Sequence, residues 1–387
     1  MCGSAQANRD RLAQFLTKAN PDRSAFPVGK RKVSLPPTLC TLRTATMITR
    51  VDRLSSKDKP VTLSRWTIAG LSLFASSCGA SRQPSTDTVF VTDEASNRID
   101  VLDGATGKIE TQLTTGARPR GIGLSPDRQM LYVAASNANR IEAWQPRGRR
   151  LLRLYQPGFG PERFAISPDG TRMALASEDH STVIFLDLKS GAVIRETKVG
   201  PEPEGVAFSP DGKLVIATSE TANLAHFIDA LTGKLIDSVP VGGRPRFILF
   251  LHGGRTAWVA SEQRGTISVI DVATRRLLRT IDLTQSFDIE EPVQAEEMRA
   301  TRDERRIFVA MGRSNRVAEI DPATDAVVRS FPSGQRTWGI ALSPDEKRLY
   351  AASGLSGTLT IVDLERNKVE RTVKLGGRPW GAVAVPK

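Results

Sequence analysis

A repeat with a period of 42 residues constrains the fold of this chain more than any other feature of its sequence. Successive copies carry an aspartate-led turn, and the gaps between these turns are 84, 42, 42, 50 and 42 residues. The first gap is two periods with a degenerate copy at Gln145, and the 50-residue gap holds an eight-residue insertion within positions 280–297, so we count seven copies. The turn aspartates are Asp103, Asp187, Asp229, Asp271, Asp321 and Asp363.

A second turn recurs in phase with the first and divides each period further. Its proline presets φ, and its aspartate and glycine accept the bent geometry. The runs between turns, such as LYVAAS and TISVID, are rich in β-branched residues and lack a helical period, so they are predicted strands. Each period holds four of them, and about 40–45 residues in four strands are typical of a propeller blade. The second turns are Ser125-Pro126-Asp127, Ser167-Pro168-Asp169, Ser209-Pro210-Asp211, Thr301-Arg302-Asp303 and Ser343-Pro344-Asp345.

The two ends of the repeat region predict how the ring closes. The region starts with the second strand of a blade, at Thr88–Val91, and ends with a first strand, at Trp380–Val385. One blade therefore takes three strands from the front of the region and one from the back, which hides the edges that an open array exposes. We predict an all-β fold, a seven-bladed β-propeller of four-stranded blades over residues 88–387.

The residues before the repeats differ from them in composition. The net charge is +12, but residues 1–80 hold 13 lysines and arginines against four acidic residues, which leaves 41 against 38 in the rest. The basic character belongs to this leader, so no nucleic-acid-binding surface is expected on the repeats. Residues 1–46 are interpreted as disordered or as lying upstream of the true start, with Met47 as a candidate initiator.

Residues 47–80 have the pattern of a secretory signal. Basic residues precede the apolar run Trp66–Ala75, and small residues follow it. The small residues before Cys78 resemble a bacterial lipoprotein processing site with Cys78 as the lipidated residue. Ala75 stands where such sites usually have leucine, so simple cleavage nearby is the alternative. Residues 81–87 are interpreted as a flexible tether, and the protein is expected to be exported to the periplasm, touching a membrane only through this leader or a lipid anchor.

The two turn families fall on one face of the predicted disc, which we call the turn face, and the other connections fall on the opposite loop face. One position in each connection to an innermost strand converges on the mouth of the central channel. Three acids, two bases and two indoles there suit a polar ligand, with guanidinium groups for its anionic parts and indoles for stacking. Alternatively, the charges pair around the rim and the indoles pack between blades. This mouth ring comprises Arg120, Glu162, Glu204, Arg246, Glu296, Trp338 and Trp380.

The connections between second and third strands add further polar groups to the loop face, including Glu178, His180, Glu220, Asn223 and Glu262. Converging carboxylate and amide oxygens suit Ca²⁺, although the same residue types are normal in solvated turns. No serine, histidine and carboxylate stand at a recognisable catalytic spacing, and no cysteine–histidine cluster or phosphate-binding glycine loop is present. We therefore predict no catalytic residue, no metal ligand and no cofactor.

The repeat sequences resemble the YVTN family of bacterial β-propellers, through segments such as DTVFVTDEASNRIDVLDGATGKI and GTISVIDVATRRL. Blade-specific segments are similar to the propellers associated with pyrroloquinoline quinone-dependent alcohol catabolism. They include PEPEGVAFSPDG, TSETANLAHFIDALTG (Thr218–Gly233), GGRPRF and GQRTWGIALSPDEKRLY. The similarity covers roughly residues 86–387. The sequence departs from the pattern of that subfamily at Ala295–Glu297, at Gln145 and at the turn around His252.

The resemblance implies an exported protein that works beside quinone-dependent dehydrogenases. We expect a non-catalytic binding or scaffold propeller that uses the channel-mouth face for a small ligand or for a periplasmic protein such as a quinoprotein dehydrogenase. One alternative is a lactonase-like hydrolase, because propeller lactonases place oxygen ligands around Ca²⁺ or another divalent cation. A DNA-binding propeller is the second alternative, which the small net charge of the repeats disfavours.

Overall fold

The computed structural model describes residues 87–286 and 292–387. Asp87, predicted as the last residue of the tether, is the first residue of a strand. Within the described part of the chain, no helix is long and apolar enough to cross a membrane. The predictions that lie outside the described residues are those for residues 1–46, residues 47–80 with Cys78, and most of residues 81–87.

The described chain forms seven antiparallel sheets of four strands each, which are the blades. Blade 1 contains β1 (Asp87–Asp93), β2 (Arg98–Asp103), β3 (Ile109–Thr114) and β28 (Pro379–Pro386). Blade 2 contains β4 (Pro119–Leu124), β5 (Leu131–Ala135), β6 (Arg140–Gln145) and β7 (Arg150–Tyr155). Blade 3 contains β8 (Pro161–Ile166), β9 (Arg172–Ser177), β10 (Thr182–Asp187) and β11 (Val193–Lys198). Blade 4 contains β12 (Pro203–Phe208), β13 (Leu214–Ser219), β14 (Leu224–Asp229) and β15 (Leu235–Pro240).

The remaining blades follow the same order. Blade 5 contains β16 (Pro245–Leu251), β17 (Thr256–Ser261), β18 (Thr266–Asp271) and β19 (Arg276–Asp282). Blade 6 contains β20 (Ala295–Ala300), β21 (Ile307–Met311), β22 (Arg316–Asp321) and β23 (Ala326–Pro332). Blade 7 contains β24 (Thr337–Leu342), β25 (Arg348–Ser353), β26 (Thr358–Asp363) and β27 (Lys368–Lys374). Short 3₁₀ helices lie at Ser136–Ala138, Glu178–His180, His252–Gly254 and Leu283–Ser286.

Blade 1 closes the ring with strands from both ends of the repeat region. β1 pairs antiparallel with β28, with Val89 opposite Ala384 and Phe90 opposite Val383. The hydroxyl of Tyr350 in blade 7 donates a hydrogen bond to the Asp87 carboxylate, which ties the closing blade to its neighbour. The prediction of a seven-bladed propeller of four-stranded blades with this closure is therefore confirmed.

The core lies between adjacent blades. The second strand of a blade is buried on both faces, because its sheet packs between two others, and every residue of β5 is buried. Between blades 1 and 2, Phe90, Ile99, Leu131 and Val133 pack against Trp144. Burying side chains of this size stabilises the fold by about 1.5–3 kcal/mol each. Each period of the repeat thus forms one four-stranded sheet, and both faces of that sheet are apolar.

The turns decide which end of each strand lies on which face of the disc. In the Asp229 turn, one carboxylate oxygen accepts hydrogen bonds from the amide and hydroxyl of Thr232, both at 2.7 Å, and Gly233 adopts a φ of +71°. Glycine enters that left-handed region without the strain that a side chain causes. Each innermost strand ends at a turn on the turn face, so each innermost strand begins at the loop face. That arrangement positions the candidate site.

Candidate functional site

Every residue of the mouth ring is the second residue of an innermost strand, so all lie at one level of the channel. The structure brings them together in two groups. Arg120 contacts Glu162 at 2.9 Å and lies 5.7 Å from the ring centroid of Trp380. The second group is centred on Arg246, whose guanidinium nitrogens lie 3.4 Å from a Glu204 oxygen and 3.7 Å from a Glu296 oxygen. The same guanidinium group lies 5.4 Å from the ring centroid of Trp338.

Arg246 is the most highly connected charge in the described part of the channel. Besides Glu204 and Glu296, it contacts Glu220 at 3.0 Å and Glu262 at 2.5 Å, and its side chain is only 10% exposed. Burial opposes its charge, but the four carboxylates outweigh that effect and raise its pKa above the usual value for arginine. One guanidinium group therefore joins strands and loops of three blades.

Glu296 is the most deeply buried acid of the ring. Its side chain is fully buried, and neither carboxylate oxygen has a hydrogen-bond partner among the described residues. Burial raises its pKa to about 8, with repulsion from Glu262 adding to the effect and attraction to Arg246 opposing it. Burial likewise raises the pKa of Glu162 and of Glu220 to about 7, with a contribution from the Glu204 charge in each case. These acids hold protons more tightly than exposed glutamates do.

Further charged residues complete this arrangement, and all of them except Glu94, an acid of the connections between second and third strands, were missed from the sequence. Each arginine of the set lies 3.7 Å or less from at least one glutamate of the set, which contains seven arginines and seven glutamates. We call this set the central network. Its members are Arg118, Arg120, Arg163, Arg244, Arg246, Arg299, Arg336, Glu94, Glu162, Glu204, Glu220, Glu262, Glu296 and Glu297.

Two positions of the repeat contain most of the missed residues. Arg118, Arg244 and Arg336 each stand two residues before a ring position, and each has a left-handed backbone, with φ of +56°, +53° and +59°. Arg163 and Glu297 stand one residue after a ring position, where four other copies have glycine. The phase of the repeat therefore marks both positions, but it does not show which partners they contact.

Below the ring, Arg163 reaches across the channel. Its guanidinium group lies 4.4 Å from the ring centroid of Trp380 and 5.3 Å from that of Phe247. It also contacts Glu297 at 3.3 Å. These residues line a channel cavity of about 220 Å³. Trp380 is only 2% exposed, so its indole packs inside the channel and is closed to a ligand on the surface.

Trp338 lies in a different environment from Trp380, because it lines an open pocket of the loop face. This rim pocket has a volume of about 590 Å³. Two of its arginines, Arg313 and Arg378, are exposed and have no ion-pair partner among the described residues. The rim pocket is lined by Glu94, Arg313, Asn315, Gln335, Arg336, Trp338, Gly354, Leu355 and Arg378.

The predicted residues of the second set of loops have separate roles. Glu220 and Glu262 join the central network. Asn223 instead accepts a hydrogen bond from the Arg244 amide at 2.9 Å, which holds a loop. Glu178 and His180 lie in a 3₁₀ helix, where the His180 ring packs edge-on against Phe159. In the described part of the chain, no group of three histidines, cysteines or acids is arranged to hold a metal ion.

His226 is a buried histidine that the sequence showed only as a strand residue. Its Nε2 accepts a hydrogen bond from the Gly200 amide at 3.1 Å, and the hydroxyls of Ser219 and Ser238 lie 2.8 and 2.7 Å from its two ring nitrogens. Burial lowers its pKa. Glu142 accepts the equivalent amide in blade 2, so His226 occupies a structural position of the repeat.

The fold and the site together define a class, a seven-bladed β-propeller with a charge-paired channel mouth and an arginine-lined pocket beside it. The sequence model of the YNCE-like β-propeller family matches residues 285–386. No curated protein matches the sequence. The finer resemblance to one propeller subfamily stays a prediction.

Solved propeller structures are similar to this chain in fold. The periplasmic gluconolactonase PpgL of Pseudomonas aeruginosa is 23% identical, with a TM-score of 0.66 over 77% of this chain and 99% of that one. Hydrazine synthase of Kuenenia stuttgartiensis is 20% identical, with a TM-score of 0.61 over 68% and 88%. Dihydro-heme d1 dehydrogenase NirN in complex with DHE is 15% identical, with a TM-score of 0.58 over 78% and 75%. These similarities show the fold alone, because one fold hosts unrelated functions.

Proposed function

We propose that this protein is an exported, non-catalytic binding propeller that works beside quinone-dependent alcohol dehydrogenases in the periplasm. Its loop face takes a small molecule, or a periplasmic protein such as a quinoprotein dehydrogenase. The signal-like leader accounts for export, and the lipidation candidate Cys78 accounts for attachment to a membrane. The setting is supported by the resemblance of the repeats to propellers of pyrroloquinoline quinone-dependent catabolism. The protein needs no cofactor of its own for this role.

One observation carries the binding role, which is the rim pocket beside Trp338. Its volume of about 590 Å³ falls within the range of roughly 300–1,000 Å³ that small-molecule sites occupy. Trp338 is partly exposed, so its indole is accessible to a bound molecule, whereas the other indole of the ring is buried. The same pocket joins blades 6, 7 and 1, which makes it a rigid site on a closed ring.

The binding role is tested by a thermal-shift screen of periplasmic metabolites against the purified full chain. A ligand at a hundredfold excess over its Kd stabilises the folded state by about 2.7 kcal/mol and raises the unfolding midpoint. We expect at least one compound to raise the midpoint of the wild type and to lose that effect in Trp338→Ala. The matched control is Leu231→Ala, because Leu231 is 72% exposed in a turn between β14 and β15 on the turn face. Equal responses in both variants would place binding elsewhere.

The metabolic setting needs a separate experiment. Deletion of the gene in its source bacterium is expected to slow growth on alcohols that quinone-dependent dehydrogenases oxidise and to leave growth on succinate unchanged. Complementation with the wild-type gene should restore growth on alcohols, and complementation with a Trp338→Ala gene should not. Unimpaired growth on every such alcohol would separate the protein from that metabolism while leaving the binding role to the screen.

The lactonase-like alternative makes the opposite prediction for activity. Purified protein supplied with Ca²⁺, Mn²⁺ or Zn²⁺ should hydrolyse gluconolactone, and a chelator should stop the reaction. We expect the rate with each cation to equal that of buffer alone. Chelator-sensitive hydrolysis that falls in a Glu296→Gln variant would replace the proposed role with an enzyme, because the channel carboxylates would then be acting on a metal-bound substrate.

A further inference from the structure

The rim pocket carries positive charge that no described ion pair neutralises. The fourteen members of the central network are seven arginines and seven glutamates, so the network has no excess of acids that could offset a further arginine. Glu94 is the acid that lines the pocket, and it is held by Arg120 at 2.8 Å. Arg313 and Arg378 line the same volume and have no ion-pair partner among the described residues. Two guanidinium groups are therefore left over at the pocket.

These arginines reach the pocket from different parts of the chain. Arg313 lies in the connection between β21 and β22 of blade 6, and Arg378 lies immediately before β28 of blade 1. Arg336 enters from blade 7 and lies 4.2 Å from the ring centroid of Trp338. Three guanidinium groups from three blades thus surround one volume. Guanidinium groups bind carboxylate and phosphate oxygens with paired N–H donors.

The opposite side of the loop face carries exposed acids. Glu178, Asp179 and Glu202, from blades 3 and 4, are exposed or partly exposed, and none has an ion-pair partner in the part of the chain that the structure describes. Lys198 lies beside them, with its ammonium group 3.3 Å from the His180 carbonyl oxygen, so acids outnumber bases in this group. Such a distribution repels an anion from the acidic side and attracts it to the rim pocket.

The remaining lining indicates more than a bare anion. Leu355 is 67% exposed at the pocket, and Trp338 adds a partly exposed indole. These side chains provide apolar surface within a lining that also contains Gln335 and Asn315. Small-molecule sites combine apolar surface with a few polar groups that fix orientation. A ligand with an apolar body and several oxyanion groups therefore matches the lining.

We infer that the rim pocket binds a small molecule with an apolar body and two or more carboxylate or phosphate groups, held by Arg313 and Arg378 beside the Trp338 indole. The inference rests on the proposed function, since it names the chemical class of the ligand that the loop face takes. It adds that charge, rather than shape alone, selects the ligand. Binding should consequently weaken as salt concentration rises, because the arginine contacts lie at the surface.

The test is isothermal titration calorimetry of the full chain with three probes. Benzenetricarboxylate presents carboxylates on an apolar ring, pyrophosphate presents phosphates, and benzenetricarboxamide has the shape of the first probe without its charge. We expect the wild type to bind at least one of the two anions at least tenfold more tightly than the carboxamide. A preference between the two anions identifies whether the natural group is a carboxylate or a phosphate.

Paired variants connect the binding to the pocket. Arg313→Gln with Arg378→Gln should weaken anion binding at least tenfold with an unchanged unfolding midpoint. The matched control is Arg264→Gln with Arg305→Gln, because both arginines are exposed and lie outside the pocket. The control pair should bind as the wild type does. Equal losses in both pairs would overturn the inference, since binding would then follow overall charge.

The outcomes also separate this inference from the proposed function. If the carboxamide binds as tightly as the carboxylate and both are lost in Trp338→Ala, the loop face binds a ligand but charge does not select it. If neither anion binds the wild type while the metabolite screen finds a neutral ligand that depends on Trp338, the inference again fails and the proposed function stands. If neither the metabolite screen nor the calorimetry detects a ligand at this face, the inference and the proposed binding function are both wrong.

Discussion

The centre of the loop face and its rim both contain arginines, but those at the centre are buried and paired, whereas two of those at the rim are exposed and unpaired. At the centre, Arg246 is 10% exposed and contacts four glutamates. At the rim, Arg313 and Arg378 are exposed and have no ion-pair partner among the described residues. The comparison separates two uses of arginine. A buried, fully matched guanidinium group serves the folded state, whereas an exposed, unmatched group beside a pocket is free to serve a ligand.

The physical reason for this difference is desolvation. A buried charge without a partner costs several kcal/mol, so a folded protein keeps such charges matched. An exposed charge keeps its water and costs little when it is unmatched. Unmatched arginines at the rim are therefore tolerated without a structural role. The four predictions below test whether the centre and the rim differ in this way, from the largest expected effect on stability to the smallest.

Arg246→Met is expected to destabilise the protein most. Methionine keeps much of the side-chain volume but leaves four glutamates without their shared cation, and breaking a buried ion pair costs about 3–5 kcal/mol. Urea unfolding of variant and wild type measures the loss. Adding Glu262→Gln should recover part of it, because it reduces the repulsion among the four carboxylates that Arg246 contacted. A loss of unfolding free energy below about 1 kcal/mol, which is ordinary for any substitution, would mean that water screens the interaction between Arg246 and its glutamates.

Trp380→Ala is expected to cost about 3–5 kcal/mol, as truncation of a buried aromatic side chain does. Trp380 is 2% exposed, and its indole packs against Arg163 at 4.4 Å. Trp338→Ala should cost clearly less, because Trp338 is partly exposed at the rim pocket. Thermal and urea unfolding of both variants provide the measurement. Equal losses would show that the two indoles have the same structural role.

The pH dependence of stability should depend on Glu296. Its folded pKa of about 8 lies above the usual glutamate pKa of 4.5, so between those pH values the unfolded state loses its proton first. The contribution of Glu296 to stability is then fully present below about pH 4.5 and is lost as pH rises towards 8. Arg246, Arg336, Arg163 and Glu262 are the charges that act on it.

Glu296→Gln removes this titration while keeping the shape of the protonated acid. We expect the variant to match the wild type near pH 5 and to exceed it by about 4 kcal/mol near pH 8. Urea unfolding across this range measures both curves. Glu110→Gln is a suitable control, because Glu110 lies on blade 1 away from the central network. Parallel curves for Glu296→Gln and the wild type would show that Glu296 is ionised in the folded protein.

The fold could be predicted from the sequence because its determinants are local and periodic. The Asp229 turn and its equivalents recur at a fixed spacing, and each turn is built from its own neighbouring residues. Strand register follows from that spacing, and the closure follows from which strand is present at each end. The insertion within positions 280–297 lengthens one connection and leaves the order of strands in the blade unchanged.

The site could be predicted only in part. The phase of the repeat places Trp338 and Trp380 at equivalent positions, and each is the second residue of an innermost strand. Their different exposure depends on Arg163, which reaches Trp380 from blade 3. Such contacts join residues more than 200 positions apart, and a single sequence does not give them. The rim pocket is hidden for the same reason, since its arginines come from three blades.

The smallest expected effect on stability belongs to Arg313→Gln with Arg378→Gln. Surface substitutions away from specific interactions usually change stability by no more than about 0.5 kcal/mol. Because both side chains are exposed and unmatched, we expect a change within that limit, and a slight gain at low salt as repulsion between the cations is removed. Urea unfolding at low and high salt measures it. A loss comparable to that of Arg246→Met would make the rim arginines structural, and a near-zero change with weakened anion binding would assign them to a ligand alone.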